Sequence, residues 1–423
     1  MSQAPEYTKA TKKPISLKDR IRGSIFLSRD FSILIFALIV VSLGFGLMGP
    51  LLPEFREILG ISESTMGTLY ALFAVAFVVA MPPSGYLVDR VGRKTMLVSG
   101  IVLFGFTTLA LVFIRTPLEF AILRTLEGVG AAMTAPAAFA LTVDLVPEHK
   151  RATALAATGT AELLGALAGP SVGGLVAGQF DFYYPFYVGA GAAFVCAAIV
   201  YMINEPKGTK MEERASLLTM FGAWKRNVEQ NRKLVALTAR GLVMGIVQGL
   251  FNLGLLWFWR DEIHMTLTEI GIAMSIGIAV MAIGSLPFGA LSDKHGRVPF
   301  ILVGGALMTG SLGLMAVADS VWQVFVLVAI QDFGASMSNP SVGALLADVM
   351  SKDERGRVMG AYQTVLGVGN IIGFTALGII YDAISPEAPI LLCTAALAVA
   401  TTIIALFVKE PRRVPATTPA ARA

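Results

Sequence analysis

The sequence predicts an all-α polytopic membrane protein with twelve transmembrane helices in two pseudo-symmetric six-helix bundles. Three observations lead to this fold class. Only 15% of the 423 residues are charged and 55% are hydrophobic, whereas soluble domains carry roughly 25% charged residues. Uncharged stretches such as 31–53 and 388–408 reach the length of about twenty residues that crosses a hydrocarbon core. Finally, the two halves of the chain share an internal repeat.

Hydropathy over windows of about twenty residues places the spans along the chain. The predicted spans lie near 32–53, 64–88, 95–115, 118–143, 153–178, 183–203, 234–258, 268–291, 298–317, 321–347, 358–381 and 388–408. Gly and Pro residues are expected to break several of them. The predicted units are a cytoplasmic N-terminal tail, a first bundle, a cytoplasmic connector, a second bundle and a cytoplasmic C-terminal tail, at 1–31, 32–203, 204–233, 234–408 and 409–423.

The distribution of lysine and arginine predicts the orientation. If both termini are cytoplasmic, then the tails, the connector and the inner loops hold 28 of the 33 basic residues. The outer loops hold only Arg56, Arg115 and Arg260, while Arg124 and Arg240 lie within spans. The positive-inside rule therefore predicts a multi-pass protein of the inner membrane with cytoplasmic termini. The net charge of +4 then reflects loops that face anionic membrane lipid, and no nucleic-acid partner is expected.

A shift of 204 positions aligns the two halves without a gap. The matches include charged and glycine residues at helix ends, which chance similarity between apolar segments does not produce. The matched pairs include Gly67/Gly271, Pro83/Pro287, Gly85/Gly289, Asp89/Asp293, Gly92/Gly296, Arg93/Arg297, Gly130/Gly334, Asp144/Asp348, Gly165/Gly369, Gly169/Gly373 and Gly174/Gly378. The sequence therefore predicts a tandem duplication, and six spans per copy give both copies the same orientation.

The duplicated loops after the second and eighth spans carry a charged signature. They read Gly85-Tyr-Leu-Val-Asp89-Arg90-Val-Gly92-Arg93-Lys94 and Gly289-Ala-Leu-Ser-Asp293-Lys294-His-Gly296-Arg297. The first glycine of each copy allows close helix packing, and the second allows a tight turn. Asp144 and Asp348 end the fourth and tenth spans, which makes them expected partners of Arg93 and Arg297.

This doubled pattern resembles the cytoplasmic signature of the major facilitator superfamily, and the resemblance covers both halves. It implies the major facilitator fold and a conformational latch that holds the outward-facing state. The residues assigned to this latch are Gly85, Asp89, Arg90, Gly92, Arg93, Asp144, Asp293, Gly296, Arg297 and Asp348. The alternative is that the loop charges serve only to orient the chain in the membrane.

The fifth span carries a glycine motif that resembles the antiporter motif of drug:proton exporters in this superfamily. The motif residues are Gly165, Gly169, Pro170, Gly173 and Gly174. Glycines on one helix face allow two helices to pack closely, while a proline kinks the helix. Ala156 stands where the antiporter pattern expects a glycine. The first span also resembles tetracycline-type exporters, although it lacks the acidic residue that they often carry.

Charged residues at membrane depth are costly and usually functional. Arg124 and Glu127 lie three residues apart on one helix face and can pair; Arg124 also begins a pattern that resembles the Arg-x-x-x-Gly motif of proton-linked members. We predict Glu127 as the proton-carrying group with Arg124 as its partner, and Asp332 and then Glu162 as its rivals. The substrate-cavity candidates are Gln248, Asn252 and Gln331. For Asp332, Glu162 and these three residues, interhelical hydrogen bonding is the alternative role.

Together these observations predict a secondary transporter, namely a monomeric, proton-coupled exporter of lipophilic small molecules. It would need no cofactor, because the proton gradient would drive transport. No nucleotide-binding motif, catalytic constellation or histidine cluster occurs in the sequence, so an enzyme and a metal site are not expected. Three alternatives stay open: uptake or exchange of a defined metabolite, translocation of a lipid or lysolipid between leaflets, and a sensor or scaffold that does not transport.

Overall fold

The computed structural model describes residues 28–205, 222, 225, 232–349 and 355–408. The predicted N-terminal tail up to residue 27, most of the connector and the C-terminal tail from residue 409 lie outside the described residues.

Twelve helices in the described part of the chain are long and apolar enough to cross a membrane. In chain order they are α1 Arg29–Met48, α2 Glu63–Val91, α3 Arg93–Ala110, α4 Pro117–Asp144, α5 Arg151–Gln179, α6 Tyr184–Tyr201, α7 Arg232–Asp261, α8 Leu267–His295, α9 Arg297–Met315, α10 Val321–Val349, α11 Arg355–Ala383 and α12 Ala388–Phe407. The predicted fold class is confirmed. We call the end of the bundle where α1 begins and α12 ends the inner end, and the opposite end the outer end.

The starts of α2 and α8 at the outer end carry matching caps. The Ser62 side chain accepts a hydrogen bond from the Thr65 backbone N–H at the start of α2. The Thr266 side chain accepts one from the Glu269 N–H at the start of α8, and Glu269 bonds back to complete a capping box. Such caps satisfy backbone donors that the helix leaves unpaired. Ser62 and Thr266 are 204 positions apart, so the repeat includes the signals that begin these helices.

The expected interruptions at Gly and Pro occur in the first span but not at the other prolines within helices. In the first span α1 ends at Met48, and a 3₁₀ turn at Gly49–Leu51 separates it from the short helix Leu52–Leu59. The helices run without a break through their interior prolines, which are Pro82, Pro83, Pro136, Pro170, Pro287 and Pro340. Membrane helices tolerate proline because neighbouring helices and local adjustments satisfy the freed backbone groups. In addition, α2 continues to Val91 and α8 to His295, so Asp89, Arg90 and Asp293 lie within helices and only the glycines that follow form the turns.

Each half packs mainly within itself, and two helix pairs join the halves. In the first half α1 contacts α5 and α6, while α2 contacts α4; in the second half α7 contacts α11 and α12, while α8 contacts α10. The halves meet where α5 packs on α8 and where α2 packs on α11. A shift of 204 residues converts one of these two interfaces into the other, which gives the bundle its pseudo-symmetry.

Glycines bring the backbones together in both interfaces. A Cβ added at Gly174 on α5 would collide with the carbonyl oxygen of Leu267, and one at Gly271 on α8 with that of Pro170. The repeat copies behave alike: Gly378 on α11 faces the carbonyl of Glu63, and Gly67 on α2 faces that of Phe374. All four contacts are therefore between a glycine and a backbone carbonyl, and they hold the halves close near the outer end.

Candidate functional site

A cavity of about 680 Å³ lies in the second half of the bundle. Side chains of α7 to α11 line it, from Trp259 near the outer end to Met359 near the inner end. Five methionines contribute to its mainly apolar wall: Met244, Met274, Met281, Met308 and Met359. Because the methionine side chain is flexible and polarisable, such a wall adapts to ligands of different shape.

The three predicted cavity residues all line this space. Gln248 and Asn252 lie one helical turn apart on α7 and are exposed to it. Gln331 on α10 is buried, and its side-chain oxygen accepts a hydrogen bond of 2.7 Å from the Ser311 hydroxyl on α9. This bond is the interhelical role that we considered as the alternative for Gln331. Of the three predicted residues, Gln248 and Asn252 therefore present amides that are available to a ligand.

Asp332 also lines the cavity, on α10 beside Gln331. No ion pair or hydrogen bond to its carboxylate is found within the described ranges. Gly277 on α8 makes room for this side chain, because a Cβ at that position would collide with the Asp332 carboxylate. Asp332 is thus a carboxylate in a mainly apolar cavity without a protein partner in the described part of the chain.

Arg240 supplies the opposite charge on the cavity wall. It lies on α7 toward the inner end and is only 5% exposed. Its guanidinium donates a 2.9 Å hydrogen bond to the Ser338 hydroxyl and also hydrogen-bonds the Tyr362 side chain. Both partners are neutral. In the sequence Arg240 stands out only as a charge within a span, and it was not predicted as a site residue.

The predicted pair Arg124–Glu127 lies in the first half, outside the lining of this cavity. The Arg124 Nη1 is 2.5 Å from the Glu127 Oε2, and Glu127 is fully buried. The Arg124 guanidinium also stacks between two rings, 4.6 Å from the Tyr70 centroid and 4.8 Å from the Phe73 centroid. Aromatic faces attract a cation, so these rings help to hold the arginine. Glu162, the last of the acidic candidates, is exposed on α5.

The inner end contains the ion pairs expected for the latch. Arg93 pairs with Asp144 in the first half. Arg297 pairs with Asp348 at 2.6 Å and with Asp293 at 3.3 Å in the second half.

Both latch turns are formed by the predicted glycines. Gly92 has φ of 106° and Gly296 has φ of 105°, a backbone conformation that side chains disfavour. Asp89 is exposed at the end of α2, where the Arg90 guanidinium lies 4.7 Å from the centre of the Tyr86 ring.

Glu205, just after α6, contacts the turn at Gly92, and the sequence did not predict this contact. Its carboxylate accepts the backbone N–H groups of Arg93 at 2.7 Å and Lys94 at 3.4 Å. A carboxylate at a helix N-terminus is stabilised by the unpaired N–H groups and the helix dipole. Glu205 therefore caps α3 and ties the latch turn to the end of α6. Its place in the polar connector gave no hint of this contact, since 112 residues separate it from Arg93.

The antiporter-like glycines have two separate roles in packing. Gly165, Gly169 and Gly173 face α1, where a Cβ would collide with its backbone. Gly174 instead faces α8 in the other half. The motif thus lets α5 fit tightly between its own half and the opposite one, as the glycine face predicted.

Charged and polar residues bridge the two halves at the outer end. We call them the outer ion cluster: Glu54, Arg56, Glu63, Arg260, Asp261 and Tyr381. Arg56, on the short helix Leu52–Leu59 that follows α1, donates two hydrogen bonds to the Asp261 carboxylate, of 2.9 and 3.1 Å. Asp261 ends α7, so this bidentate pair joins the two halves. Arg56 also lies 2.6 Å from Glu63, and the Tyr381 hydroxyl donates to Asp261 at 3.1 Å.

A second bridge in the outer ion cluster runs in the opposite direction. Arg260 of the second half lies 2.7 Å from Glu54 of the first. Burial raises the pKa of Glu54, and the nearby Arg260 guanidinium acts in the opposite direction. The sequence held a signal for this cluster: Arg56 and Arg260 are two of only three basic residues in the outer loops, and each has acidic neighbours in the chain.

Solved transporters share the fold. The crystal structure of a bacterial homologue of the human lysosomal transporter Spinster, inward-facing and unoccupied, has a TM-score of 0.74 at 15% identity over 89% of this chain and 96% of its own. The nucleoside transporter NupG has a TM-score of 0.78 at 14% identity over 90% of this chain and 100% of its own. The chain thus has the fold of these polytopic membrane proteins.

The model of the Major Facilitator Superfamily matches residues 34–251 and 237–423, so the chain belongs to this family. It is a transporter of small-molecule substrates and not an enzyme. Multidrug resistance protein 2 of Bacillus subtilis is 29% identical over 83% of this chain and 88% of its own length. Quinolone resistance protein NorA of Staphylococcus aureus is 26% identical over 91% of this chain and 98% of its own length. The chain therefore resembles the drug:proton antiporter branch of the family, as predicted.

Proposed function

We propose that this protein is a proton-coupled exporter of lipophilic small molecules that works by alternating access. The methionine-rich cavity with its unpaired carboxylate carries the proposal. Its volume of about 680 Å³ falls in the range of small-molecule sites, and its wall combines apolar area with a few polar groups. The names of the two relatives, which refer to multidrug and quinolone resistance, support substrates of this kind.

Asp332 lines the cavity, and we propose that a proton and a substrate compete there. A carboxylate in an apolar cavity can take up a proton when the cavity opens to one side and release it on the other. Glu127 stays a candidate for the same task, since its pairing with Arg124 can be exchanged for a protonated carboxyl. The two acids differ in their access: Asp332 faces the cavity, while Glu127 is buried beneath Arg124 and two aromatic rings.

The test uses the purified protein in liposomes with an imposed proton gradient and ethidium as the probe. Wild-type protein should accumulate ethidium against its gradient only while the proton gradient lasts, and ethidium and protons should move in opposite directions. Asp332→Asn should abolish uphill transport and retain exchange without a gradient. Asp319→Asn, which alters an exposed carboxylate in an outer loop, is the matched control.

The result of this assay also separates the alternatives. Movement of protons and substrate in the same direction would indicate uptake of a metabolite and overturn the export proposal. Uphill transport that survives an uncoupler would overturn proton coupling. Transport of a lysolipid but not of ethidium would identify lipid translocation between leaflets.

We further propose that the protein works as a monomer in the inner membrane with both termini in the cytoplasm. The excess of Lys and Arg in the tails, the connector and the inner loops supports this orientation. Reporters fused after Asp181 and Asp261 should be active outside, and a reporter within 204–233 should be active in the cytoplasm. A cytoplasmic signal from the fusion after Asp261 would contradict the orientation.

A further inference from the structure

We infer that the cavity contains a subsite for an acidic group, with Arg240 as its anchor, so that its substrates include lipophilic molecules that carry a carboxylate. This inference rests on the proposed function only in treating the cavity as the substrate site. Nothing in the apolar wall itself requires a basic residue. A buried charge is costly in a membrane protein unless it is paired or has a function.

The surroundings of Arg240 leave its charge uncompensated. Its two hydrogen-bond partners, Ser338 and Tyr362, are hydroxyl groups, and no acidic side chain of the described residues forms an ion pair with it. A guanidinium has five N–H donors in a planar fork that fits a carboxylate. The exposed amides of Asn339 and Gln363 lie on the same cavity wall and supply further donors. An anionic ligand group would complete this set.

The position of Asp332 sets the orientation of the ligand and favours a monoanion. Asp332 and Ser338, the residue that Arg240 contacts, are six positions apart on α10, which corresponds to about 9 Å along the helix axis. The acid of a ligand would therefore lie toward the inner end, with its apolar body along the methionines toward Asp332. A dianionic group such as a phosphate monoester would meet a single arginine and the negative field of Asp332, so a carboxylate fits better.

The subsite is tested by equilibrium binding to the full-length protein in nanodiscs of phosphatidylcholine. The probes are 11-(dansylamino)undecanoic acid and its methyl ester, which differ only in the acidic group. Trp259 lines the cavity, so once the other three tryptophans are replaced by phenylalanine, energy transfer from Trp259 to dansyl reports saturable binding there. We expect the wild-type protein to bind the acid about tenfold more tightly than the ester, as a charge-assisted bidentate bond implies.

Three variants assign the preference to Arg240. Arg240→Gln should bind acid and ester equally, while Arg240→Lys should keep part of the preference because it keeps the charge. Arg115→Gln, the same change at an exposed outer-loop arginine, should bind like the wild type. An unchanged ratio in Arg240→Gln would overturn the inference.

The wild-type comparison needs no substitution at Arg240 and stands even if an Arg240 variant does not fold. A wild-type protein that binds the ester as tightly as the acid would overturn the inference by itself. Because no gradient is imposed, this outcome is independent of the export assay. Acid-selective binding without uphill transport would support the subsite and overturn the proposed function. Ethidium export without acid selectivity would support the proposed function and overturn the subsite.

Discussion

Replacing Asp261 by asparagine should open the outer end of the transporter. The Asp261 carboxylate accepts two hydrogen bonds from Arg56 and one from Tyr381, and it is the principal acid that links Arg56 to the second half. In the outer-closed state these groups are largely shielded, with 13% of the Arg56 side chain and 23% of the Asp261 side chain exposed. In an outer-open state they would face water, where the pair contributes little.

The size of the effect follows from the bonds that are lost. Hydrogen bonds to charged groups contribute about 1.5–3 kcal/mol each at most, and Arg56 keeps its contact with Glu63. The amide oxygen of the substituted side chain can still accept one bond from Arg56. A net loss of about 2 kcal/mol from the outer-closed state is therefore reasonable, and it corresponds to a shift of ~30-fold in the equilibrium between outer-closed and outer-open states.

The measurement is the distance between spin labels across the outer end, by double electron–electron resonance. Labels at Ile58 on the short outer helix and at Glu262 just beyond α7 lie in different halves and on exposed side chains. The two native cysteines, Cys196 and Cys393, are buried and would be replaced by alanine. The substitution should transfer a large share of the population from the short to the long distance.

Two further variants test this interpretation. Asp319→Asn removes an outer carboxylate of the same half that does not bridge the two halves, so its distance distribution should match the unsubstituted protein. Asp261→Glu keeps a carboxylate that can bind Arg56. Its distance distribution should therefore lie nearer to that of the wild type than the distribution of Asp261→Asn does. If Asp261→Asn leaves the distribution unchanged, the outer ion cluster does not hold the halves together.

The remaining predictions concern the latch, the buried pair and the outer end in acid. Asp89→Asn should impair transport while the protein still inserts normally into the membrane. The defect should be more severe than in Asp293→Asn, because the first copy keeps the fuller signature. Wild-type flux in both variants would leave these loops only a topological role. Glu127→Gln should lose uphill export but keep substrate exchange. Arg124→Ala should harm both activities, because it leaves a buried carboxylate without its partner. If Glu127→Gln still pumps with a normal pH dependence, the pair has a structural role only. Burial raises the pKa of Glu54 in the outer-closed state, whereas in an outer-open state this carboxyl would face water, so the closed state binds the proton more tightly and is favoured as the pH falls through the raised pKa. Mild outer acidification should therefore shift the population toward the short spin-label distance, and Glu54→Gln should weaken that response.

Local sequence signals predicted the helices and the turns well. Apolar runs of about twenty residues decide where a chain crosses a membrane, and the twelve helices follow them. The turns at Gly92 and Gly296 could be predicted because their backbone conformation favours one residue type. The 204-residue repeat also allowed Arg93 to be matched with Asp144 and Arg297 with Asp348, since each copy supports the other.

Contacts between distant parts of the chain could not be predicted in the same way. Arg56 and Asp261 are 205 residues apart and come from different halves, so the repeat does not relate them. Glu127 was predicted because it lies near Arg124 in the chain, but no local pattern shows that Glu127 lies away from the cavity and Asp332 on its wall. Helix breaks were wrongly expected at the interior prolines for another reason. The cost of a proline depends on neighbouring helices that satisfy the backbone, and no local pattern reveals these neighbours.

The four glycine-to-carbonyl contacts between the halves have a consequence for the speed of the transport cycle. Side chains that interlock across an interface must change rotamer before the helices can move, and each such change adds to the activation barrier. At Gly67, Gly174, Gly271 and Gly378 the sliding surfaces are backbone, which has no rotamers to rearrange. Movement of the halves against each other would therefore meet no rotamer barrier at these four contacts, and bulk added at one of these positions would slow turnover even where it left substrate affinity intact.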